Sequence, residues 1–319
     1  MSANSKEIRR RIKSINNTGK ITRAMEMVSA AKMRKSVESV VKVREYAHSA
    51  WSILTNLSRT FGKHDHELLE AREVKSVLMI VIASNRGLCG SFNAQTFKKV
   101  KSELENPEKL KVNKVGDKRI ESRVSDDDLK VDFVTVGRKG EEIVRKLKRE
   151  VIASFTDLTY LPKIESVRPL AKLVTDEYLK KNYDKVVLVY TDYVSTISQK
   201  TKIRQILPIS KIDLEKQISE MDNLAKGEAV KEPKFEYKVE PNPSEVLDNI
   251  LPRLLEMQIF HAIIESNASK EAARMMAMRN ATEAAGEMSE DLTFVFNQIR
   301  QSKITQEIAE ISAGRAALE

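Results

Sequence analysis

Apolar positions divide the 319-residue chain into three textures. From Lys6 to Phe61 there is no proline and one glycine, Gly19. Apolar residues recur there three and four apart: Ile8, Ile12 and Ile15, then Ile21, Met25 and Val28, then Val40, Val43, Ala47, Ala50, Leu54, Leu57 and Phe61. That alternation draws an apolar seam along a helix that must meet another helix. The C-terminal stretch repeats it at Met278, Ala281, Ala285, Met288, Leu292, Val295 and Ile299. Between the two lie short continuous apolar runs, Val77–Ala83, Val131–Val136 and Val186–Tyr190, which read as strands buried on both faces of a parallel sheet. A helical stripe at Leu170, Leu173, Val174 and Tyr178, opened by Pro169, separates two of them. Ile203–Ile209 and the alternating Phe235, Tyr237 and Val239 read as edge or antiparallel additions.

These elements predict an α/β fold with a long antiparallel coiled coil. N- and C-terminal helices (residues 1–61 and 244–319) pair into a stalk, and a central Rossmann-like α/β domain (74–242) forms a globular foot. Ser244 is the expected N-cap of the last helix, and Pro252 marks either a kink or its true start. The first helix spans about 80–90 Å and the last about 110 Å, so about 20 Å of the C-terminal end should overshoot its partner. That overhang carries Ile304, Ile308, Ile311 and the tip Ser312–Leu318. A helix end of this composition is marginal alone in water, so another protein should receive it. Two charged, apolar-poor stretches, Glu103–Lys130 and Lys211–Lys234, are expected to be surface loops or insertions.

Charge sharpens this picture. Residues 1–35 hold ten Lys or Arg against Glu7 and Glu26, nearly the whole of the +9 net charge, so the first helix calls for an acidic partner. Charged residues make up 32% and aromatics 5%, as in long solvent-exposed helices. No run of eighteen apolar residues is present, and the N-terminus lacks the apolar core of a signal peptide. A chain starting at Met without a presequence is expected at the cytoplasmic face of a bacterial membrane. The single Cys89 excludes an intramolecular disulfide.

Candidate chemistry is sparse. Gly87-Leu88-Cys89-Gly90-Ser91 follows a strand, where α/β folds bind phosphates, but it matches neither GxGxxG nor a Walker loop. A tight strand-to-helix turn with a small buried cysteine is the better reading. His64-Asp65-His66-Glu67 reads as a solvated turn rather than a metal site. Met25, Met27, Met33, Met275, Met276 and Met278 read as core filling between helices, with an adaptable contact surface as the alternative. Paired carboxylates, a nucleophile motif and metal spacing are absent, so catalytic residues, cofactor and metal are each expected to be none.

Four motifs carry a family resemblance. Ile21-Thr22-Arg23-Ala24-Met25-Glu26-Met27-Val28-Ser29-Ala30-Ala31-Lys32-Met33-Arg34 resembles the N-terminal motif of the F-type ATP synthase gamma subunits, and Ser84–Asn93 resembles their S-D-x-GLCG-x-x-N segment. Glu271–Thr282 and Arg300–Ile311 are similar to their C-terminal motifs, so the likeness runs over essentially the whole chain. Asn85 stands where the family usually has Asp, and Arg315 where it generally has a small residue. Pro252 is unexpected, and 103–130 resembles an insertion.

The resemblance implies a non-catalytic rotor shaft of a proton-translocating synthase, one copy per complex. It would couple rotation of the membrane c ring to conformational change at catalytic sites in the beta subunits. Its partners would be the alpha and beta subunits, an epsilon-type subunit and the c ring, with no nucleic acid. By the same resemblance Arg23, Met25, Gln301, Thr305 and Glu310 face the alpha/beta head, and the segment from Tyr193 to Pro208 lies near the epsilon-type subunit and the ring. Two other readings compete. A basic coiled-coil nucleic-acid binder explains the first helix but not the apolar overhang. A nucleotide-dependent α/β enzyme would use the turn at 84–91.

Overall fold

The computed structural model describes residues 2–60, 66–115, 118–125, 128–210 and 243–316. Contacts divide the chain into two units, one of residues 1–30 with 274–319 and one of 31–273. Both boundaries fall inside long helices, α1 (Ser2–Thr60) and α6 (Pro243–Ala316). The α6 helix starts at Pro243, so Ser244 lies inside its first turn rather than at the cap, and it continues through Pro252.

The larger unit is built on a five-stranded sheet. Its strands are β1 (Ser76–Ile82), β4 (Lys130–Val136), β5 (Val151–Phe155), β6 (Lys185–Tyr193) and β7 (Gln199–Leu207), in the order β5-β4-β1-β6-β7. The first four are parallel and β7 runs antiparallel to β6. Central β1 is buried on both faces, as its unbroken apolar run predicts. One face packs Val77, Met79, Val81, Phe133, Val187 and Val189 with Val100 of α2 (Phe92–Glu105) and Val144 of α4 (Arg138–Lys146). The other packs Leu78, Ile80, Val134, Val186 and Leu188 with α5 (Ile164–Leu179) and the first third of α6. Nearly every residue from Met257 to Ser269 is buried, so this part of α6 belongs to the core of the unit.

Two expectations change here. Pro169 sits inside α5, five residues after its start, rather than opening it; Val167, Leu170, Ala171, Val174 and Tyr178 form its buried stripe. Much of the described part of the 103–130 stretch is regular structure rather than a loop: the end of α2, α3 (Glu108–Lys111), and the antiparallel pair β2 (Val112–Val115) and β3 (Lys118–Glu121). Leu110 is fully buried there, and the buried Lys185 ammonium donates to the Lys109 carbonyl at 2.7 Å, capping α3 from the first residue of β6. Asp126 and Asp127, the 211–234 stretch, and Phe235, Tyr237 and Val239 lie outside the described residues.

In the smaller unit α1 and α6 pair antiparallel. Asn16 accepts from Ser289 at 2.8 Å, Gly19 faces Ala285, and the Thr22 and Thr282 hydroxyls meet at 2.7 Å. Each step forward on α1 is thus a step back on α6. The α1 seam runs Ile8, Ile12, Ile15, Gly19, Thr22, Met25 and Ser29, each three or four residues after the last. The predicted seam left this line at Ile21 and Val28, which are exposed. Likewise α6 turns Thr282, Ala285, Ser289, Leu292 and Phe296 inward and leaves Met288 and Val295 outside. Small residues keep the spacing where the two backbones approach closely, so the seam's geometry outranks its hydrophobicity.

Candidate functional site

The turn after β1 is closed by its own side chains. Asn93, in the first turn of α2, accepts from the Ser84 backbone N–H at 3.2 Å and donates to the Ser84 hydroxyl at 2.8 Å; that hydroxyl in turn donates to the Arg86 carbonyl at 2.7 Å. Leu88 and Gly90 adopt φ of 60° and 56°, and Cys89 is buried beneath them. The spacing of Ser84, the two glycines and Asn93 is that of a turn built to carry the chain off the sheet. Asn85 spans its neighbours. Its carbonyl oxygen accepts from the Arg138 N–H at the start of α4 (3.0 Å), and its amide donates to the Thr156 carbonyl after β5 (2.8 Å). An ionised aspartate could accept but not donate, which gives Asn85 a local reason of its own.

Connections from β1 to β5 run over one sheet face and the return through α5 over the other. The chain therefore reverses direction between β1 and β6, where open α/β sheets hold ligands. Here the carboxyl end of β6 is met by side chains of α6. Buried Asp192 pairs with Lys202 of β7 and hydrogen-bonds Glu265 of α6. Burial works to raise the Asp192 pKa, but the bonds from Glu265 and Lys202, with Arg204 nearby, outweigh it and hold the carboxylate below its usual range. Glu265 moves the other way: burial first, then the bond to Asp192 and its negative charge, push it well above the usual value against the pull of Arg204 and Lys202. His261, one turn earlier, is fully buried and lowered to about 3 by desolvation and Arg204. It is therefore neutral, and its Nδ1, 3.6 Å from Glu265, makes no ion pair. Sequence reading passed over this cluster, although Glu265 and His261 stand at i, i+4 within an otherwise apolar stretch of α6.

The residues singled out beforehand fall in three places. Arg23 is exposed and Met25 half-buried on α1 in the smaller unit. Gln301, Thr305 and Glu310 are exposed on the last turns of α6, where the Thr305 hydroxyl donates to the Gln301 carbonyl at 3.0 Å and Glu310 accepts from Gln306 at 2.8 Å. The pairing register sets Ser2 level with about residue 302, so about 20 Å of α6 extends past the start of α1. From Ile304 to Arg315 every residue is exposed, and Ile304, Ile308 and Ile311 lie bare at 48, 59 and 73%. Arg315 has an interaction of its own, so it is not a stray charge.

Tyr193 closes β6, half-buried, with its hydroxyl 3.8 Å from the Met33 sulfur of α1 and its pKa raised by desolvation. Pro208 follows β7 behind a cis peptide bond and is buried; its carbonyl accepts from Gln205 at 2.9 Å. Surface in this region comes instead from Val194 and Ile197 in the β6–β7 turn, exposed at 48 and 80%. Met33 and Met278 are buried, Met25, Met275 and Met276 half-buried, and Met27 exposed, so core filling accounts for most but not all of the methionines. His66 caps a short 3-10 turn by accepting from the Leu68 N–H at 3.0 Å, while His64 and Asp65 lie outside the described residues. Among the described residues no three His, Cys, Asp or Glu converge as a metal site, and no helix is long and apolar enough to cross a membrane.

Comparison with known proteins gives these surfaces a context. A family model described as ATP synthase matches residues 4–318. The ATP synthase gamma chain of Legionella pneumophila (strain Corby) is 34% identical over 316 residues, which cover 99% of this chain and all of that one. Among solved structures, the central stalk and c-ring part of the Tetrahymena thermophila mitochondrial ATP synthase aligns with a TM-score of 0.54 at 23% identity, covering 82% of this chain and 99% of that one. A chain of the OSCP/F1/c-ring part of the Euglena gracilis mitochondrial enzyme, in rotational state 3, aligns at 0.62 and 17%, covering 100% and 95%.

Proposed function

The chain belongs to the ATP synthase gamma family, non-catalytic subunits of the central stalk, and on that premise we propose that it is the rotor shaft coupling the membrane c ring to the catalytic head. Proton-driven turning of the ring would turn this chain, and its changing contacts would drive the beta-subunit sites through different conformations. Such coupling requires contacts that differ between states, which a single asymmetric shaft supplies to three equivalent sites. One copy per complex follows. The chain would sit peripherally at the cytoplasmic face of a bacterial membrane.

The observation that carries this reading is the bare end of α6. Ile304, Ile308 and Ile311 recur four and three apart, on one face of a helix that has outrun its partner. Completing their burial is worth about 1–2 kcal/mol each, which favours a receiving sleeve of the alpha and beta subunits. Gln301, Thr305 and Glu310 would be its polar contacts, and Arg23 and Met25 would meet the same subunits lower down. Tyr193, with the exposed Val194 and Ile197 beside it and Pro208 supporting the hairpin from within, would face the epsilon-type subunit and the ring.

The test is native purification of the tagged chain from membranes, once complete and once ended after Ile299. The complete chain should bring alpha, beta, epsilon-type and c subunits, with one copy of itself, and support coupled ATP synthesis. The shortened chain should lose most of that synthesis. Recovery of the complete chain without alpha and beta subunits would defeat the proposal, and undiminished coupling in the shortened one would remove the driving role of the tip.

A further inference from the structure

The connection from β5 to α5, residues 156–163, passes over the carboxyl ends of β1 and β4 and touches both long helices within the larger unit. Tyr160 makes both contacts. Its ring lies 5.3 Å from the Lys32 ammonium of α1, and its carbonyl accepts from the Asn267 amide of α6 at 3.1 Å. Lys270 settles the orientation of that amide, because its ammonium donates to the Asn267 carbonyl oxygen at 2.6 Å. An ammonium cannot accept, so the Nδ2 side must face Tyr160. The Thr159 hydroxyl donates to the Leu161 carbonyl at 2.9 Å and bends the chain around Tyr160, whose ring and carbonyl serve different helices.

We propose that Tyr160 is a clasp joining α1 to α6 in the larger unit, so that Lys32 and Asn267, on separate helices, act through one residue. Apolar packing gives this strap little hold. Within residues 31–40, α1 buries only Met33, Ser36 and Val40, and the Ser36 hydroxyl has no hydrogen-bond partner among the described residues. Of the strap only Pro162 is buried. Half-buried Leu158 and exposed Thr159 stand over a cavity of about 20 Å³ walled by Ile82, Ala83, Gly137 and Ile263, room for a water molecule but not for a side chain. The grip on the helices therefore rests on the two contacts of Tyr160. The cation–π contact to Lys32 is worth about two- to fivefold in an equilibrium at a half-exposed site, and the hydrogen bond to Asn267 a similar factor.

The clasp is tested by amide hydrogen exchange in the full chain, read for residues 31–40 of α1 against β1 as the internal reference. Tyr160→Leu, Lys32→Met and Asn267→Leu should each speed exchange in residues 31–40 about two- to fivefold relative to β1. Tyr160→Phe keeps both the ring and the carbonyl, so it should leave that exchange unchanged. Lys32→Met and Asn267→Leu open the same clasp, so the two together should add little to either alone. In the Tyr160→Leu background, Lys32→Met should have no further effect. Full multiplication of the Lys32 and Asn267 effects, an undiminished Lys32→Met effect in the Tyr160→Leu background, or equal acceleration in α1 and β1 overturns the proposal. If Tyr160→Leu does not fold, the Lys32→Met and Asn267→Leu pair decides alone.

Discussion

Asn85 is a residue whose chemistry can be weighed singly. Its amide joins the start of α4 to the segment after β5, and an aspartate there would turn a carboxylate oxygen against the Thr156 carbonyl while keeping only the Arg138 contact. Asn85→Asp should therefore cost about 1–3 kcal/mol of stability, read as a lowered urea midpoint with unchanged slope. His261 sets a second expectation. It is held neutral down to about pH 3 in the fold, while the unfolded chain takes up the proton near pH 6.5, so stability is complete above that value and is lost as pH falls toward 3. Asp192, also lowered, adds a loss in the same direction at the acid end. Unfolding midpoints from pH 7 to pH 4 should fall in the natural chain and fall less in His261→Gln. Neither effect was legible beforehand. Asn85 reads as a turn residue and His261 as one letter in an apolar stretch; their meaning depends on what the sheet brings beside them.

At the scale of elements, sequence and structure agree where apolar residues alone decide. The strands at 76–82, 130–136 and 185–193 are as continuous in burial as in sequence, and the antiparallel edge strand follows. Disagreement falls where size or polarity carries the pattern. Gly19, Thr22, Ser29 and Thr282 hold the seam while Ile21 and Val28 face out, because close backbones leave room for small side chains only. The 103–130 stretch reads as a surface loop or insertion because its apolar residues are few, yet Leu110 is fully buried there and the Lys185 ammonium holds the Lys109 and Val112 carbonyls. A Cβ at Gly19 would meet only the Ala285 methyl at 3.5 Å, an ordinary contact. Gly19→Ala should consequently leave the pair intact and raise thermal stability by up to about 1 kcal/mol through helix propensity. Gly19→Leu should lower it; loss of stability on Gly19→Ala would mean the helices meet more tightly than this.

For the whole molecule the decisive feature is that it carries surfaces rather than a reaction site. The strand-to-helix turn after β1, one place where α/β folds hold phosphates, is closed by its own Ser84 and Asn93. What remains to be occupied is the bare end of α6, whose extent was legible from helix lengths before any partner was considered. The central claim, that this chain turns, is tested most directly by watching it. Cys89 is buried, so Ser102→Cys on the exposed side of α2 supplies a single reactive thiol for a gold rod, with the assembled head fixed to glass. On adding ATP the rod should rotate in one direction and stop when ATP is withdrawn; ATP hydrolysis at the normal rate beneath a rod that never turns would contradict the account.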